Sequence, residues 1–591
     1  MFGPYEDKEA ESEDDVATSI VAATNLVRVT ENIGFEINDA SLGTQVEKLW
    51  DLETLGIGSK EISWVDRCLG EFTVVDGRYQ VSLPFKENRR FVEDNYVLAE
   101  KRLKTLMKKL NKDPELLKKY DTIIKHQLEE GIIEMVATDP VVGEVSYSPH
   151  RAVIREEKST TKIRIVYDLS AKNKGPSLND CLYKGPVLTP LLFDVLLRFR
   201  VFQIAITADI AQAYLQILVD PVDRDFLRFL WYDDVYAEEP KILKFRFTRV
   251  IFGAAPSQFL LNAVVKMHVE KYQEIDPDFV MKMKQSFYVD DFNTSVQNYE
   301  EALNLYEKSK SRFLEGKFNL RKWRTNHSKL REEIEIREKE IDNNVIGEKI
   351  LGIKWDEKQD NLVLDFRSVV EAAHKMIPTK RNVLKAIAGI YDPVGFIQPV
   401  MVTLKILFQK ICLSKIGWDD VVSDALAKEF YDAINEIKHL GDFCVARCYF
   451  PVDINDPVVN VEMHAFSDGS KMAYGGCVYL KYVTKNGFVK VVFVAAKSRV
   501  VGASLKLTIP RVELLGNLVV SRLVGNVSRA LEVDLHINKV VCWTDSQITL
   551  AWIKSIDKEF DVFVENRVVE IRKNVDVIIG IMLIRMTILR I

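Results

Sequence analysis

Residues 286–292 read Ser-Phe-Tyr-Val-Asp-Asp-Phe, with two adjacent acids, Asp290 and Asp291, between apolar and aromatic side chains. Residues 204–209 read Ile-Ala-Ile-Thr-Ala-Asp, a short apolar run that stops at Asp209. Both patterns favour a strand that ends on an acid, and the first favours a hairpin with its acids at the tip. We therefore expect the three carboxylates to meet at the rim of one sheet, where the backbone is fixed.

Three carboxylates at a sheet rim can hold a pair of divalent cations. Two Mg²⁺ ions held about 3.5–4 Å apart by shared carboxylates are the usual means of transferring a nucleotidyl group to a hydroxyl. The alternative is that Asp290 and Asp291 are ordinary turn residues, since aspartate is common in turns. Their apolar flanks, and the acid that lies about 80 residues earlier in the chain, favour the metal site.

A second set of acids follows the same rule further along the chain. Asp468 ends the strand pattern of residues 461–468, and Asp545 ends another strand. Between them, Glu513 lies in the first turns of a helix that starts near Pro510. Taken singly, each acid is more often a helix cap or a turn residue. In the order strand acid, helix acid, strand acid, the three resemble the metal ligands of the RNase H fold, and this resemblance implies a second two-metal site.

The composition sets the general class of protein without identifying its ligands. The chain has 591 residues, 47% of them hydrophobic, which is enough for several packed cores. Its formal net charge is −5, although a basic groove can exist on a mildly acidic protein. The seven cysteines lack the close spacing of a zinc site, so we expect reduced thiols. We expect neither a signal peptide nor a membrane-spanning segment.

The pattern along the chain predicts a mixed α and β protein of several domains. Residues 95–133, 378–440 and 510–531 carry apolar side chains at three- and four-residue steps, which favours helices. Residues 461–496 favour strands. The charged run at 329–341 is expected to be a solvated segment.

The Tyr-Val-Asp-Asp sequence at 288–291 resembles the metal-binding box of reverse transcriptases, and Asp209 then resembles the partner carboxylate of the preceding motif. Residues 161–168 resemble the fingers strand that holds the incoming triphosphate. On that strand Lys162 and Arg164 alternate onto one face, as cations gripping phosphate would. The alternative for these two cations is a solvated strand face.

Further stretches resemble motifs around the nascent base pair and the primer end. Tyr214 resembles the residue that stacks under the deoxyribose and excludes a 2′-OH, although a lone tyrosine is more often a core residue. Phe252 and Gly253 open a small-residue turn that resembles the template-positioning motif. Residues 316–323 and 351–355 resemble later palm motifs. The nucleic-acid contacts that they imply are Arg321, Lys322, Trp323 and Lys354. The lysine beside the tryptophan is either a general acid for pyrophosphate or a plain phosphate contact.

Several stretches resemble the Pao/BEL group of retrotransposons in particular, namely those at 76–79, 177–181, 318–323 and 390–395. The resemblance implies a fragment of a Pol polyprotein with an α+β multidomain fold: a right-hand polymerase of fingers, palm and thumb-like parts, followed by an RNase H-like α/β domain. The implied domains are an acidic N-terminal and linker region (1–85), fingers and palm (86–300), palm end, thumb-like and helical connection (301–454), and a truncated or frameshifted RNase H-like domain (455–591).

The three acids of the second set resemble metal ligands of RNase H. A fourth acid of that family, in a stretch resembling Asn-Pro-Ala-Asp, does not occur in the apolar sequence from Val577 onward. Codons for residues 580–591 can be chosen that restore this stretch when they are read one base earlier, so we suspect a frameshift. The resemblance therefore implies an impaired RNase H activity.

The function implied is an RNA-directed DNA polymerase with two Mg²⁺ ions per active site, or Mn²⁺ in their place. Its partners would be an RNA template, a DNA or tRNA primer, an RNA–DNA hybrid and dNTPs, with no membrane and with the oligomeric state left open. The expected location is intracellular: the cytoplasm or a virus-like particle, with a nuclear phase.

Two rival functions remain open on the sequence. One is a decayed or co-opted retroelement remnant that binds nucleic acid without copying it, which a primer-extension assay would separate from a polymerase. The other is an unrelated metal-assisted hydrolase that uses only Asp468, Glu513 and Asp545, and it leaves the first set of acids unexplained.

Overall fold

The computed structural model describes residues 70–86, 92, 94–136, 145–154, 163–338, 349–451, 455–502, 507–555, 558–576 and 584–585. The predicted triphosphate contact Lys162 lies outside these residues, as does most of the acidic N-terminal region. The apolar tail and the suspected frameshift also lie outside them, apart from the two-residue strand Ile584–Arg585.

Helices and strands are mixed along the chain, as the sequence pattern predicted. The strands are β1 (Thr73–Val75), β2 (Arg78–Val81), β3 (Ile133–Met135), β4 (His150–Ile154), β5 (Ile163–Tyr167), β6 (Ile204–Ile210), β7 (Leu218–Val219), β8 (Arg228–Tyr232), β9 (Ile242–Phe247), β10 (Phe287–Tyr288), β11 (Asp291–Val296), β12 (Leu320–Thr325), β13 (Lys349–Ile350), β14 (Ile353–Asp356), β15 (Asn361–Asp365), β16 (Asp442–Ala446), β17 (Val458–Gly469), β18 (Ala473–Thr484), β19 (Val489–Val500), β20 (Lys539–Thr544) and β21 (Ile584–Arg585). The helices are α1 (Tyr96–Leu110), α2 (Pro114–Glu129), α3 (Leu178–Cys181), α4 (Leu192–Arg198), α5 (Ser257–Glu270), α6 (Pro277–Ser286), α7 (Tyr299–Glu315), α8 (Ser328–Glu338), α9 (Arg367–Lys375), α10 (Lys380–Gly389), α11 (Gln398–Leu413), α12 (Asp424–His439), α13 (Ile509–Leu531), α14 (Gln547–Lys554) and α15 (Val562–Asp576).

The first set of acids lies in an antiparallel sheet of order β10-β11-β6-β12. Strand β6 is central and is buried along its length, with Asp209 as its one partly exposed residue. Helices α6 and α7 contact this sheet on its flank. Because a strand that is buried on both faces is rigid, it fixes the backbone of the acid at its end.

The segment before this sheet combines two helices with two hairpins. Residues 95–133 form α1 and α2 as predicted, and Asp113 caps the second helix by accepting from the backbone N–H of Leu116 at 3.1 Å. The strands β4 and β5 pair with each other, and β3, β9 and β8 form a separate sheet. Trp231 on β8 donates its indole N–H to Asp121 of α2 at 3.0 Å, which ties the helix to that sheet.

The region between the two sets of acids is a small sheet, β13-β14-β15-β16, with a cluster of helices α9 to α12. Asp392 organises the turn before α11, because its carboxylate accepts from the backbone N–H groups of Gly395, Phe396 and Ile397 at 3.0, 2.8 and 2.9 Å. Gly395 has φ +87°, and a Cβ there would lie 2.0 Å from the carbonyl oxygen of Ala496 on β19. Only glycine lets this turn dock on the next sheet.

The second set of acids lies in a sheet of order β19-β18-β17-β20-β21. Strands β17, β18 and β19 are antiparallel, whereas β20 and β21 continue parallel to β17. The predicted long helix is α13, which packs on this sheet and also contacts α4. The core of this sheet is therefore continuous with residues 192–205, the segment that leads into β6.

The charged run at 329–341, predicted to be solvated, is a helix over most of its length, and the charged side chains of its described part are exposed or half-exposed. Residues 328–338 form helix α8, and Leu330 and Ile334 are buried on its inner face. Two apolar side chains four residues apart are enough to anchor a helix whose other positions are charged. In the part of the chain described, no helix is long and apolar enough to cross a membrane.

Candidate active sites

The structure places the acids of the first set at one edge of the central sheet. Asp209 and Asp291 are directly opposite each other in the antiparallel pairing of β6 and β11. The backbone N–H of Ile210 donates to the carbonyl of Asp290 at 3.0 Å, which fastens the hairpin tip to β6. Opposed residues of antiparallel strands share one face of the sheet, so the carboxylates approach each other.

The hairpin tip holds a backbone conformation that is unfavourable for its residue. Val289 has φ +60°, in the left-handed region that a β-branched side chain rarely adopts. Such a residue costs about 1–3 kcal/mol and persists only where its surroundings impose it. Here the pairing of Tyr288 with Asp291 and the hydrogen bond to Asp290 impose it. The turn presents its two acids at the expense of local stability.

The electrostatics of Asp290 are those of a crowded carboxylate. Burial raises the pKa of Asp290 above its usual value, and the negative charge of Asp209 raises it further. Its own backbone N–H and the cations Arg164 and Lys322 act in the opposite direction. Burial, with a smaller effect of Asp290, raises the pKa of Tyr214 to about 12. These four side chains therefore lie close enough to act on the acid.

Two cations approach the carboxylate of Asp209. Arg321 Nε lies 3.7 Å from Oδ1, and Lys322 Nζ lies 3.5 Å from Oδ2. The Oδ1 atom is buried and has no hydrogen-bond partner. Both cations reach it because β12 bulges between Arg321 and Arg324, where Lys322 has φ +52°.

This arrangement fits a divalent cation. One oxygen of Asp209 is buried and accepts no hydrogen bond, and burial raises the pKa of the neighbouring Asp290 despite the cations nearby, so a divalent cation would stabilise both carboxylates. Oxygen ligands of this kind are those that Mg²⁺ prefers. Among the described residues, no three His, Cys, Asp or Glu side chains are grouped closely enough to hold a metal ion by themselves. The acids lie near each other, but they do not by themselves form a complete set of metal ligands.

Residues predicted to contact the nucleotide surround this edge. Arg164 is exposed on β5, and it acts electrostatically on Asp290. The rings of Tyr214 and Phe252 are in contact, with centroids 4.3 Å apart, and Phe252 is 60% exposed. Gly253 has φ +99°, and a Cβ there would lie 2.9 Å from a main-chain oxygen, so no other residue fits without strain.

Asn179 holds this turn in place, a role that the sequence did not suggest. Its side-chain NH₂ donates to the carbonyl of Gly253 at 2.9 Å and to Ser170 Oγ at 2.8 Å. Its Oδ1 accepts from the backbone N–H of Ala255 at 2.8 Å. The stretch 177–181 stood out by resemblance only, since a contact across about 75 residues leaves no local pattern.

Two of the predicted nucleic-acid contacts are placed differently from expectation. Trp323 is buried, its indole N–H donates to the carbonyl of Leu320 at 3.1 Å, and its ring packs against Phe292 and Tyr306. It supports the sheet from within, which corrects the expected contact with nucleic acid. Lys354 lies on β14, in a different sheet from Arg321 and Lys322.

The acids of the second set converge at the ends of neighbouring strands. Asp468 and Asp545 each follow by two residues the parallel pair Phe466 and Trp543, and both are exposed. Glu513 is partly buried on α13 and accepts a hydrogen bond from the hydroxyl of Ser546.

Glycines allow the close approach of α13 to this strand end. A Cβ at Gly469 would lie 2.9 Å from the backbone nitrogen of Glu513, and one at Gly516 would lie 2.8 Å from the carbonyl oxygen of Asp468. Backbone contacts this short are open only to glycine. They bring the helix acid next to the first strand acid.

The fold of this chain is similar to that of solved viral structures. The foamy viral protease–reverse transcriptase dRH in complex with ds DNA matches with a TM-score of 0.50 at 13% identity, covering 100% of this chain and 84% of that one. The same viral protein matches with a TM-score of 0.49 in complex with an RNA/DNA hybrid (13% identity, all of this chain, 65% of that one). With dsDNA the TM-score is also 0.49 (14% identity, 100% of both chains). This chain thus has a mixed α/β fold like that of a retroviral reverse transcriptase and spans 65% of the hybrid-bound chain.

A match to a family model narrows this class. Residues 379–546 match the Pao retrotransposon-like RNaseH-like domain. The match begins at helix α10 and ends just after Asp545, so it includes all three acids of the second set. No curated protein matches the sequence. The fold and this match together support a fragment of a retroelement polyprotein.

Proposed function

We propose that this chain is the RNA-directed DNA polymerase of a Pao/BEL-type retrotransposon, followed by an RNase H domain of impaired activity. The observation that supports it most directly is the pair Asp209 and Asp290, joined across β6 and the hairpin tip, with a buried carboxylate oxygen that has no donor. In support of the class, the chain shares the fold of a retroviral reverse transcriptase.

The reaction would be in-line attack of a primer 3′-OH on the α-phosphate of a dNTP. Asp209 and Asp290 would hold two Mg²⁺ ions, or Mn²⁺, and Asp291 would assist. When bound, the metals supply charge that favours the alkoxide nucleophile and the leaving pyrophosphate. Arg164, together with Lys162, would grip the triphosphate and orient it for attack.

The remaining side chains of the site would position the nucleotide and the primer. The contacting rings of Tyr214 and Phe252 would form a platform under the sugar, where a 2′-OH would meet the tyrosine. Arg321 and Lys322 lie beside Asp209 and would contact phosphate near the primer end. Lys322 lies 3.5 Å from Asp209, and it would have to leave this carboxylate before it could donate a proton to pyrophosphate. A plain phosphate contact therefore suits it better than the role of general acid.

The partners proposed are an RNA template, a DNA or tRNA primer and the resulting RNA–DNA hybrid, in the cytoplasm or a virus-like particle, with a nuclear phase. On this proposal, residues 86–300 are fingers and palm, 301–454 are palm end, thumb-like part and connection, and 455–591 are the RNase H-like domain. Asp468, Glu513 and Asp545 would hold metal in that domain, short of one ligand. The genomic nucleotides test the frameshift, because codons for residues 580–591 that cannot restore Asn-Pro-Ala-Asp would exclude it.

Primer extension on an RNA template tests the polymerase proposal. Wild-type chain should extend a labelled DNA primer with Mg²⁺, and Asp290→Asn should abolish extension. The matched control is Asp234→Asn, which makes the same change at an exposed turn acid and should leave extension intact. A wild-type chain that binds the template–primer tightly without extending it would instead support the binding remnant.

A second readout follows from the raised pKa of Asp290. The carboxylate is harder to ionise in the folded chain than in the unfolded one, so its charge destabilises the fold at neutral pH. Without metal, Asp290→Asn should therefore raise the melting temperature at pH 7, and the difference should vanish well below pH 4. Mg²⁺ should stabilise the wild type and not this variant.

A further inference from the structure

Three arginines surround the two-residue strand β7, away from the acids of the candidate site. On one side β7 pairs in parallel with β2, which begins at Arg78. On the other side Leu218 forms an antiparallel bridge with Arg249. Arg224 donates from Nε to the carbonyl of Val219 at 3.0 Å. The fold thus brings three guanidinium groups from distant parts of the sequence to one short strand.

Arg249 is the unusual member of this arginine cluster. Its Nε and Nη1 atoms are buried and have no hydrogen-bond partner. Burial lowers the pKa of Arg249 to about 10, and the positive charges of Arg78 and Arg224 contribute to the shift. Among the described residues, no carboxylate contributes to this shift of the pKa of Arg249. A half-buried cation with two buried, unpaired donor atoms and two like charges beside it is stabilised when an anion joins it.

The partners of the other two arginines do not supply that anion. Arg78 donates from Nη1 to Gln216 Oε1 at 2.6 Å, a neutral acceptor. Glu134 lies 3.4 Å from Arg224 Nη1, but its other oxygen is held by Arg246 at 2.7 Å. Glu134 therefore pairs with one arginine of the cluster, Arg224, and it is divided between that arginine and Arg246.

We propose that the cluster of Arg78, Arg224 and Arg249 binds a phosphate group. Guanidinium groups present paired N–H donors that match phosphate oxygens, and several of them together bind phosphate far better than a single cation does. Two sources carry this chemistry: a phosphodiester of a nucleic-acid backbone, and a free phosphate or nucleoside triphosphate.

The cluster lies next to the two segments that carry Tyr214 and Phe252, so a bound phosphate would affect both. Gln216 ends the 3-10 turn that begins at Ala213 and contains Tyr214, and Arg249 precedes Phe252 by three residues. A phosphate held here would brace both segments whose rings meet at the candidate nucleotide site. The binding claim itself does not require that the chain polymerises, because none of these arginines contacts the acids of that site.

The experiment uses the full chain and compares Arg249→Gln with Arg381→Gln. The control removes the same charge from an arginine that pairs with Asp419 at 2.8 Å on a distant helix. Binding of a labelled DNA duplex is measured over a KCl series. Thermal shifts are measured with inorganic phosphate and with dATP.

For a backbone phosphate, Arg249→Gln should weaken duplex binding and reduce the slope of log K against log salt by about one, and the control should not. For a free phosphate source, the variant should lose the thermal shift given by phosphate or dATP and keep the duplex slope. If Arg249→Gln changes neither measurement, the proposal is refuted. The duplex slope and the thermal shift given by inorganic phosphate do not depend on the acids of the polymerase site, so a failed polymerase proposal would remain distinguishable from a failed phosphate site.

Stability without phosphate separates this role from a merely structural one. Removing a half-buried charge that lies beside two like charges should leave the melting temperature of Arg249→Gln unchanged or raise it. A lower melting temperature together with full ligand binding would assign Arg249 to folding and overturn the proposal. Arg78→Gln provides a second variant at a half-buried position, and it should show the same loss of salt dependence or of thermal shift.

Discussion

The segment that leads into strand β6 is fastened to the connecting sheet by a buried ion pair, and its removal gives a quantitative test. The side chain of Arg447 has 0% exposure, and it donates from Nε and Nη2 to Asp360 at 2.6 and 2.8 Å. Its remaining donors reach the carbonyls of Phe199, Phe202 and Gln203 at 2.6, 2.9 and 2.7 Å. The pair Arg447–Asp360 with these carbonyl contacts, which we call the clasp, holds the loop 199–203 immediately before β6.

Asp360→Ala should destabilise the clasp strongly. Removing one partner of a buried ion pair costs about 3–5 kcal/mol, because the other charge remains buried. Asp360 is 24% exposed, so we expect the lower end, about 3 kcal/mol. Trp355 also loses the acceptor of its indole N–H, which lies 3.0 Å from Asp360 Oδ1. Asp360→Asn keeps one acceptor oxygen and should cost about 1.5–3 kcal/mol, the value of one charged hydrogen bond.

Native-state hydrogen exchange is the appropriate measurement, since a chain of several domains does not unfold in one step. The reporter is the amide of Tyr449, which donates to the carbonyl of Arg200 at 2.8 Å within the clasp. A loss of about 3 kcal/mol should speed its exchange by more than 100-fold. Asp365→Ala, which removes an exposed pair with Arg367, should change it by less than about 1 kcal/mol.

Two results would refute the reasoning about this clasp. The first is an exchange rate in Asp360→Ala that rises less than tenfold, or no more than in the exposed control. The second concerns the double variant Asp360→Ala with Arg447→Met. Replacing both charges by apolar groups should recover part of the lost stability. No recovery would mean that the carbonyl contacts of Arg447, rather than its charge pair, hold the loop.

Three further predictions concern Gly253, Tyr214 and His150. Gly253→Ala should cost about 1–3 kcal/mol in thermal stability and lower primer extension, because the left-handed backbone and a near main-chain oxygen exclude a Cβ. Tyr214→Val should admit ribonucleotides in primer extension and Tyr214→Phe should not; unchanged ribonucleotide use in the first variant would remove the proposed sugar contact. Burial lowers the pKa of His150 to about 4, and its Nδ1 accepts from the hydroxyl of Tyr120. The unfolded chain therefore binds the proton first, so about 3 kcal/mol of stability should be lost between pH 6.5 and pH 4 in the wild type and not in His150→Gln.

Local patterns in the sequence predicted the elements well where each element carries its own signal. The start of α2 at Asp113 and Pro114 is visible because a capping side chain and an N1 proline are both local. The long helix α13 is visible because its apolar positions repeat over 23 residues. The helix within the charged run at 329–341 was not predicted, because two buried side chains among acidic and basic residues are too few to make a periodic pattern.

The residues of the candidate sites could likewise be predicted where the signal is local and not where it depends on long-range contacts. Asp209, Asp290 and Asp291 could be found because each lies next to a short apolar run, near the end of β6 or at the turn between β10 and β11. Asn179 and the arginines around β7 could not be found, since their roles depend on contacts between segments that are far apart in sequence. The burial of Trp323 was missed for a related reason: the β12 bulge that turns its ring inward is set by pairing with β6, and the strand's own residues do not encode it.

These long-range contacts explain why a loss of metal binding by the second set of acids need not disturb the first set. Strand β6 follows a loop held by Arg447, and the same segment contributes to the core beneath the C-terminal sheet. Arg198 of that segment donates to the carbonyl of Ala530 on α13 at 3.3 Å. Asp468 and Asp545, in contrast, are exposed and lie outside this core. Loss of metal binding there would leave the packing intact, so the C-terminal domain can remain a structural support for Asp209 even where its own chemistry is impaired.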